Sequence, residues 1–219
     1  MLRSLVTFVL DLVYPPRCVI CHRILEKPRE SVCPYCLAHL PEHDGAAPHI
    51  RYAEGCCVTL YYEDDVRSSF LRYKFEGLRH YAAVYGPWMA NTIRDHFDGK
   101  YDLITWVPVS EKRRRTRGYD QSRLLAEEAA RSLGKQAVQT LRKIVDTPAQ
   151  SGLSDRSERA ANVTGVYESV HPELFTGKRV LLVDDIVTTG ATMSEACRVL
   201  LTSSAEAVYC AALATPRMD

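Results

Sequence analysis

The residues best suited to chemistry are two adjacent carboxylates, Asp184 and Asp185, and a turn of small and hydroxyl residues that runs from Thr188 to Thr192. Four apolar residues at positions 180–183 precede the carboxylates without alternation. This pattern predicts a strand buried on both faces, as in a parallel sheet covered by helices. The carboxylates then fall at the carboxyl end of the strand, the edge at which open α/β sheets bind ligands.

A helix is predicted after this turn, over Met193–Leu201, with Thr192 and Glu195 as a capping box. The turn then aims backbone N–H groups at one point, and the helix N-terminus adds positive potential. Glycine at position 190 allows the backbone to approach a ligand closely. The pattern therefore predicts a phosphate-binding turn, whose residues are Thr188, Thr189, Gly190, Ala191 and Thr192.

Asp184 and Asp185 have a different predicted role, because carboxylates repel a phosphate. They are suited to accept hydrogen bonds from a diol, or to hold a Mg²⁺ ion that the diol shares with a pyrophosphate. A 5′-phosphate, a ribose diol and a metal-bound pyrophosphate together describe phosphoribosyl pyrophosphate (PRPP). An ordinary buried strand that ends in an acidic turn is the alternative, but it does not require the residues that follow.

A run of positive charge follows another predicted buried strand, Leu103–Val109. Five of the six residues from 112 to 117 are Lys or Arg, and we predict that they form a loop. A long polar segment, Asp146–Asn162, follows a third predicted strand, Val138–Val145. Both segments can meet the phosphate turn at one sheet edge. The alternative for the basic run is a solvated surface loop.

Four of the eight cysteines form two Cys-x2-Cys pairs separated by 11 residues, namely Cys18, Cys21, Cys33 and Cys36. This spacing predicts a tetrahedral Zn²⁺ site with a structural role, since four thiolates leave no open position. Two disulfides are the alternative. A segment this short builds little core, so the metal is expected to supply much of its folding free energy. The other four cysteines are predicted to be buried structural thiols.

Charge and hydropathy limit the classes of function. The net charge of +1 means that affinity for nucleic acid must come from local clusters. No apolar run approaches the ~20 residues that span a bilayer. Residues 2–13 have helical apolar spacing, which predicts a short amphipathic helix that packs on the protein or on a partner. Asp11 interrupts the run and no cleavage site follows, so we expect a cytoplasmic protein.

The order of predicted elements gives the fold class, an α/β protein with a mostly parallel sheet flanked by helices and a small N-terminal four-cysteine zinc module. Two domains are expected, residues 1–45 and 52–219, joined by a linker in Pro41–Arg51. The further predicted elements are strands at Cys56–Tyr62, Val163–Glu168 and Ala207–Ala214 and helices at Val66–Phe75, His80–Phe97 and Gln121–Leu133.

The strand, the two acidic residues and the turn resemble the PRPP-binding motif of type I phosphoribosyltransferases. The resemblance implies that the basic segment binds pyrophosphate and that the long polar segment is a mobile catalytic loop. By that resemblance, the candidate catalytic residues are Asp184, Asp185, Arg156 and Arg159. The further PRPP-binding candidates are Lys112, Arg113, Arg115 and Arg117.

The whole chain is similar to the ComF family. The resemblance rests on the paired cysteines and on Tyr73–Gly77, Val107-Pro108, Arg117–Gln121 and Thr147–Leu153, together with the PRPP motif. Asp120 departs from the expected Asn. The family resemblance implies a role in natural transformation, in which incoming single-stranded DNA is handled in the cytoplasm.

Three functions follow from these features. The first is handling of single-stranded DNA by a PRPP-binding protein, with basic residues on phosphates and aromatic residues on bases. The aromatic candidates are Tyr73, Phe75, Tyr81 and Tyr119, and their alternative is a place in the core. The second is transfer of phosphoribosyl from PRPP to a base or amine. The third is a scaffold, with the N-terminal module docking a DNA-uptake helicase or a recombination protein.

Overall fold

The computed structural model describes residues 15–27, 29–146 and 165–217. Its helices are α1 (Pro34–Ala38), α2 (Asp64–Phe75), α3 (Ala82–Phe97), α4 (Glu111–Arg117), α5 (Gln121–Ser132) and α6 (Ala191–Thr202), with 3₁₀ turns at Arg79–Tyr81 and Pro172–Leu174. Its strands are β1 (Gly55–Tyr61), β2 (Leu103–Trp106), β3 (Leu141–Lys143), β4 (Tyr167–Ser169), β5 (Arg179–Ile186) and β6 (Ala207–Thr215). The predicted N-terminal helix and the loop candidates Arg156 and Arg159 lie outside the described residues.

The main sheet is four-stranded and parallel, in the order β1-β6-β5-β2. Strand β5 lies inside it, with Val183 opposite Ala211 of β6 and Trp106 of β2. Alternate residues of β5 join two different cores: Leu181 packs with α3 and α5, and Leu182 packs with α6. A strand covered on both faces has no polar side to alternate with, which explains its continuous apolar run. The predicted α/β fold class is confirmed.

Strands β3 and β4 form a separate antiparallel pair. The predicted strand Val138–Val145 is therefore wrong in extent, since only Leu141–Lys143 is a strand and it lies outside the parallel sheet. Val138 N donates to Ile104 O at 2.9 Å, so the chain touches the β2 edge once before it turns away. Polar residues at 142 and 143 suit an exposed hairpin-like pair better than a buried central strand.

The basic segment is a helix, α4, so the predicted loop is wrong. Ser110 Oγ caps the helix by accepting from Arg113 N at 3.3 Å. Glu111 in the first turn pairs with Arg114 and Arg115, and Gly118 ends the helix at a φ of 80°. A hydroxyl cap, an acidic first turn and a terminal glycine are strong helix signals that outweigh the repulsion among the cations.

The four-cysteine module packs directly on α2. Ser69 Oγ and Arg72 Nη2 donate to the backbone carbonyls of Val19 and Ile20, which lie between the first two cysteines. Val19 and Ile20 belong to the same buried cluster as Phe70 of α2. The module therefore shares its core with the α/β domain. The predicted boundary between residues 1–45 and 52–219 stays a prediction.

The predicted linker, Pro41–Arg51, is anchored at both ends. Tyr61 N donates to Pro41 O at 2.7 Å, which pairs the start of the segment with β1. Arg51 N donates to Ser194 Oγ at 3.0 Å, which ties its end to α6. Within the described ranges, no helix has the length and apolar character to cross a membrane.

Candidate functional site

The turn after β5 leads into α6, which begins at Ala191 with Gly190 as its N-cap residue at a φ of 76°. Glu195 does not complete the predicted capping box. Its carboxylate accepts from Gly165 N at 2.7 Å and pairs with Arg198 at 2.8 Å. The first N–H groups of a helix have no carbonyl partner within the helix, and here Ala191 N makes a long contact of 3.5 Å with Thr189 Oγ1 of the turn. The N-terminus of α6 is therefore the kind of environment that binds an anion.

Gly190 is required by packing as well as by its backbone conformation. A Cβ atom there would lie 2.6 Å from Ile50 Cδ1 and 3.1 Å from His49 O. A positive φ also strains any residue with a side chain. The positive φ and the close approach of segment 49–50 therefore both favour glycine at 190, in addition to any approach of a phosphate.

A small cleft joins this turn to the carboxylates. It is lined by Asp184 and by residues 186–193, which include all five predicted phosphate-binding residues. Thr188 is exposed and Thr189 is half-buried, so both hydroxyl side chains are open to a ligand. The structure thus brings together one predicted carboxylate and the complete predicted turn.

Asp184 is buried at the end of β5. Its Oδ1 accepts from Ser122 Oγ and from Asp185 N, each at 2.8 Å. Burial, with the neighbouring Asp185 charge as the second cause, raises the pKa of Asp184 to about 7. A bound divalent cation would remove this penalty by supplying the missing positive charge.

Asp185 is held by an ion pair that the sequence did not predict. Lys74 Nζ of α2 lies 2.7 Å from Asp185 Oδ2, and Ile186 N donates to Asp185 Oδ1 at 2.6 Å. The sequence contains no local sign of this contact, because the partners are more than 100 positions apart and meet only through the packing of α2.

The four cations predicted to bind pyrophosphate divide between two faces of α4. Arg113 and Arg117, one helical turn apart, are half-buried. Burial lowers the pKa of Arg117, and the charge of Asp185 partly offsets this effect. The Arg117 guanidinium also lies 4.8 Å from the centre of the Phe75 ring. This face of α4 is the one directed to the carboxylates.

Lys112 and Arg115 are exposed on the other face. Lys112 pairs with Asp146 at 3.6 Å, and Arg115 pairs with Glu111 at 3.2 Å. Arg114 and Arg115 line a groove of about 690 Å³ that also contains Lys143. The predicted single basic cluster is therefore divided into an inner pair beside the carboxylates and an outer, exposed pair, of which Arg115 lines the groove.

Lys143 of β3 is a second site residue that the sequence analysis missed. Burial and, second, the charge of Arg113 lower the pKa of Lys143 to about 8, although the Asp184 and Asp146 carboxylates act in the opposite direction. Its side chain lines the groove beside Arg114 and Arg115, its ammonium lies 5.5 Å from the centre of the Tyr167 ring, and it interacts electrostatically with Asp184. The sequence predicted a strand at this position. Lys143 could have been identified as a site residue only if the pairing partner of that strand had been known.

The aromatic candidates are divided by burial. Tyr73, Tyr81 and Tyr119 are in the core, as the alternative predicts, whereas the Phe75 side chain is 63% exposed. Asp120 is a structural residue here: its carboxylate accepts from Arg123 N as the cap of α5 and from Val109 N, both at 3.1 Å.

The four predicted zinc ligands meet at one point. The Sγ atoms of Cys18, Cys21, Cys33 and Cys36 lie within 4.8 Å of one another, and Cys21 and Cys33 are 3.9 Å apart. Four sulfurs at about 2.3 Å from Zn²⁺ in a tetrahedron are about 3.8 Å apart, so the set fits the ion. Among the described cysteines no disulfide is present. This is a structural zinc site.

The environment of the Cys18 thiol also favours metal binding. Burial alone would raise its pKa, but backbone N–H groups of Cys33, Cys21 and Ile20 lower the pKa to about 7. A thiolate is the form that binds zinc. The remaining cysteines match the predicted structural thiols: Cys57, Cys197 and Cys210 are buried and Cys56 is half-buried.

Two family models match the chain in the order that the structure shows. The double zinc ribbon domain matches residues 9–48, and the phosphoribosyl transferase domain matches residues 120–219. The first match contains all four zinc ligands. The second contains β5, both carboxylates and the phosphate turn.

Three curated relatives are similar to the chain. Competence protein ComFC of Bacillus subtilis (strain 168) is 24% identical over 84% of this chain and 77% of its own length. Competence protein ComFC of Streptococcus pneumoniae (strain ATCC BAA-255 / R6) is 26% identical over 87% and 84%. DNA utilization protein YhgH of Salmonella typhi is 35% identical over 49% of this chain and 46% of its own length, so the chain matches less than half of that relative. With the zinc ribbon and the transferase domain in this order, the chain belongs to the ComF family.

Proposed function

We propose that this protein binds PRPP with a divalent metal ion at the carboxyl end of β5. The observation that carries the proposal is the cleft that joins Asp184 to the phosphate turn at residues 188–192. The turn and the start of α6 suit the 5′-phosphate, and the carboxylates suit the diol and Mg²⁺. In this proposal Arg117 and Lys143 neutralise the pyrophosphate, and Arg156 and Arg159 close over it.

We further propose that the protein acts in DNA uptake and handles incoming single-stranded DNA. The relatives named as competence and DNA utilization proteins support this role. Outward cations of α4 and the groove beside them offer a surface for phosphates. The exposed Phe75 ring lies against Arg117 of the inner pair and offers a stacking surface for one base. The cytoplasmic location stays a prediction.

The same site supports a second candidate function, transfer of phosphoribosyl from PRPP to a base or amine. Loss of pyrophosphate from ribose C1 creates positive charge on the sugar and negative charge on the leaving group. Arg117 and Lys143 can stabilise the leaving anion, and Asp184 is placed beside the proposed ribose. No acceptor is identified by the described residues.

One experiment separates these functions. PRPP and Mg²⁺ are incubated with the protein, alone, with single-stranded DNA and with nucleobases, while pyrophosphate release and PRPP binding are measured. Binding without release favours the handling function, and release above that of Asp184→Asn with Asp185→Asn favours transfer. Absence of both binding and release would refute the PRPP site.

The DNA surface is tested by two matched double variants. Lys112→Ala with Arg115→Ala removes outer cations, whereas Arg113→Ala with Arg117→Ala removes the inner pair. If DNA binds the outer face, only the first variant reduces the slope of log affinity against log salt, by about 0.7 for each phosphate that is no longer neutralised. Equal slopes in both variants and the parent protein would refute this surface.

We also propose that the zinc ribbon binds a protein partner during DNA uptake. The ribbon's exposed apolar side chains, Ile24, Tyr35 and Leu37, offer a surface for a helicase or a recombination protein.

A further inference from the structure

The ion pair between Lys74 and Asp185 lies at the position proposed for the metal. The Lys74 ammonium is 2.7 Å from Asp185 Oδ2, and the two side chains are 17% and 13% exposed. Asp185 Oδ1 accepts from Ile186 N at 2.6 Å. The oxygen in contact with Lys74 is therefore the one better placed to bind a cation from solution.

An ammonium group and a divalent cation compete for this oxygen, because like charges about 4 Å apart repel in a partly buried site. Asp184 cannot easily replace Asp185 as the first ligand. Its Oδ1 already accepts hydrogen bonds from Ser122 Oγ and Asp185 N, each at 2.8 Å, and its side chain is buried. A metal ion that binds at this edge therefore has to displace the Lys74 ammonium from Asp185.

The backbone of Lys74 is fixed, although its side chain is long. The two residues before it anchor α2: Arg72 bonds to the zinc ribbon, and Tyr73 Oη donates to Gln121 O at 2.9 Å. The four-methylene stem of a lysine can swing its ammonium to a new partner while the helix stays in place.

We propose that Lys74 is the resident counter-ion of Asp185, that the divalent cation displaces it, and that the displaced ammonium then pairs with the pyrophosphate of PRPP. This inference rests on the proposed PRPP site. It makes Lys74 a positioning residue that couples the two ligands. The cation alone binds weakly because it must displace Lys74, and PRPP favours displacement because it gives Lys74 a new partner.

The test uses Mn²⁺ as the probe, with titrations followed by electron paramagnetic resonance in the presence and absence of PRPP. Lys74→Met should bind Mn²⁺ alone roughly tenfold or more tightly than the parent protein, because the competing charge is gone. PRPP should then increase its Mn²⁺ affinity less than it does in the parent. Lys74→Arg, which keeps the charge, should retain weak binding of Mn²⁺ alone.

Lys27→Met is the matched control, since it removes an exposed lysine–carboxylate pair on the ribbon. It should leave both titrations unchanged. Unaltered Mn²⁺ affinity in Lys74→Met, with PRPP still bound by the parent protein, would overturn the inference alone. If Lys74→Met does not fold, Lys74→Arg provides the test. Equal Mn²⁺ affinities of Lys74→Arg in the presence and absence of PRPP would overturn the inference. A parent protein that binds neither probe would overturn the proposed function as well.

Discussion

The zinc ribbon and the proposed pyrophosphate site on α4 were both predicted from clusters of like residues. They differ in whether the clustered residues come together in the folded protein. At the ribbon, all four predicted cysteines converge on one point. At the proposed pyrophosphate site, only the inner pair of the predicted basic residues, Arg113 and Arg117, faces the carboxylates. The difference arises because cysteines on tight knuckles share one target, whereas a helix distributes consecutive side chains around its axis.

This comparison also shows where the two regions depend on each other. The ribbon holds α2 through Val19 and Ile20, and α2 carries Lys74 to Asp185. The zinc ribbon and the carboxylates are therefore connected through a single helix, α2.

Removal of zinc should have the largest effect. Structural zinc supplies of the order of 10 kcal/mol in small modules. Chelation, or Cys33→Ser, should unfold the ribbon and lower the thermal midpoint by roughly 10 °C or more. Calorimetry with metal analysis measures this, and Cys56→Ser is the control because that thiol lies outside the ribbon. An unchanged midpoint after complete zinc loss would contradict the shared core.

Single arginine substitutions on α4 should have an intermediate effect. Arg117→Ala should weaken PRPP binding about tenfold to a hundredfold, because a charge-assisted hydrogen bond is removed. Arg115→Ala, on the outer face of the same helix, should change it by less than about twofold because exposed charges are screened. Isothermal titration of both variants compares the two faces directly. Equal decreases in affinity would mean that the basic segment acts as one cluster after all.

A smaller effect is expected from Lys143. Its pKa is lowered to about 8 in the folded protein from 10.5, so the unfolded chain binds more protons between these values. Stability therefore rises with pH through this window, and the cost of the buried charge is fully present below about pH 8. Lys143→Met should be more stable than the parent at pH 7 by roughly 1 kcal/mol, given partial exposure, and this advantage should shrink by pH 10.

Urea unfolding at both pH values measures the Lys143 effect. Lys135→Met, at an exposed lysine of the same charge, should show no such change between pH 7 and pH 10. An advantage of Lys143→Met that is the same at both pH values would show that its cause is packing and not charge.

The sequence predicted those parts of the fold and site that rest on local pattern. The buried strand, Asp184, Asp185 and the phosphate turn were found because a two-sided strand and a small-residue turn have local signatures. The α4 helix was missed although Ser110, Glu111 and Gly118 are helix start and stop signals, because the density of charge suggested a loop.

Other features had no local signal. Lys74 reaches Asp185, and Lys143 lies near Asp184, only through tertiary packing. From the sequence, glycine at 190 was explained only by the approach of a ligand. The close approach of Ile50 could not be predicted, because it depends on the path of the segment after the ribbon. Pairwise contacts of this kind are set by topology and cannot be obtained from residue type and spacing.

The central claim is that Asp184 and Asp185 form the PRPP and metal site. Calorimetric titration of PRPP with Mg²⁺ into the parent protein and into Asp184→Asn with Asp185→Asn tests it most directly. The account predicts saturable binding to the parent and none detectable in the variant, with folding of both confirmed by their thermal midpoints. Undiminished PRPP affinity in a folded variant would contradict the account.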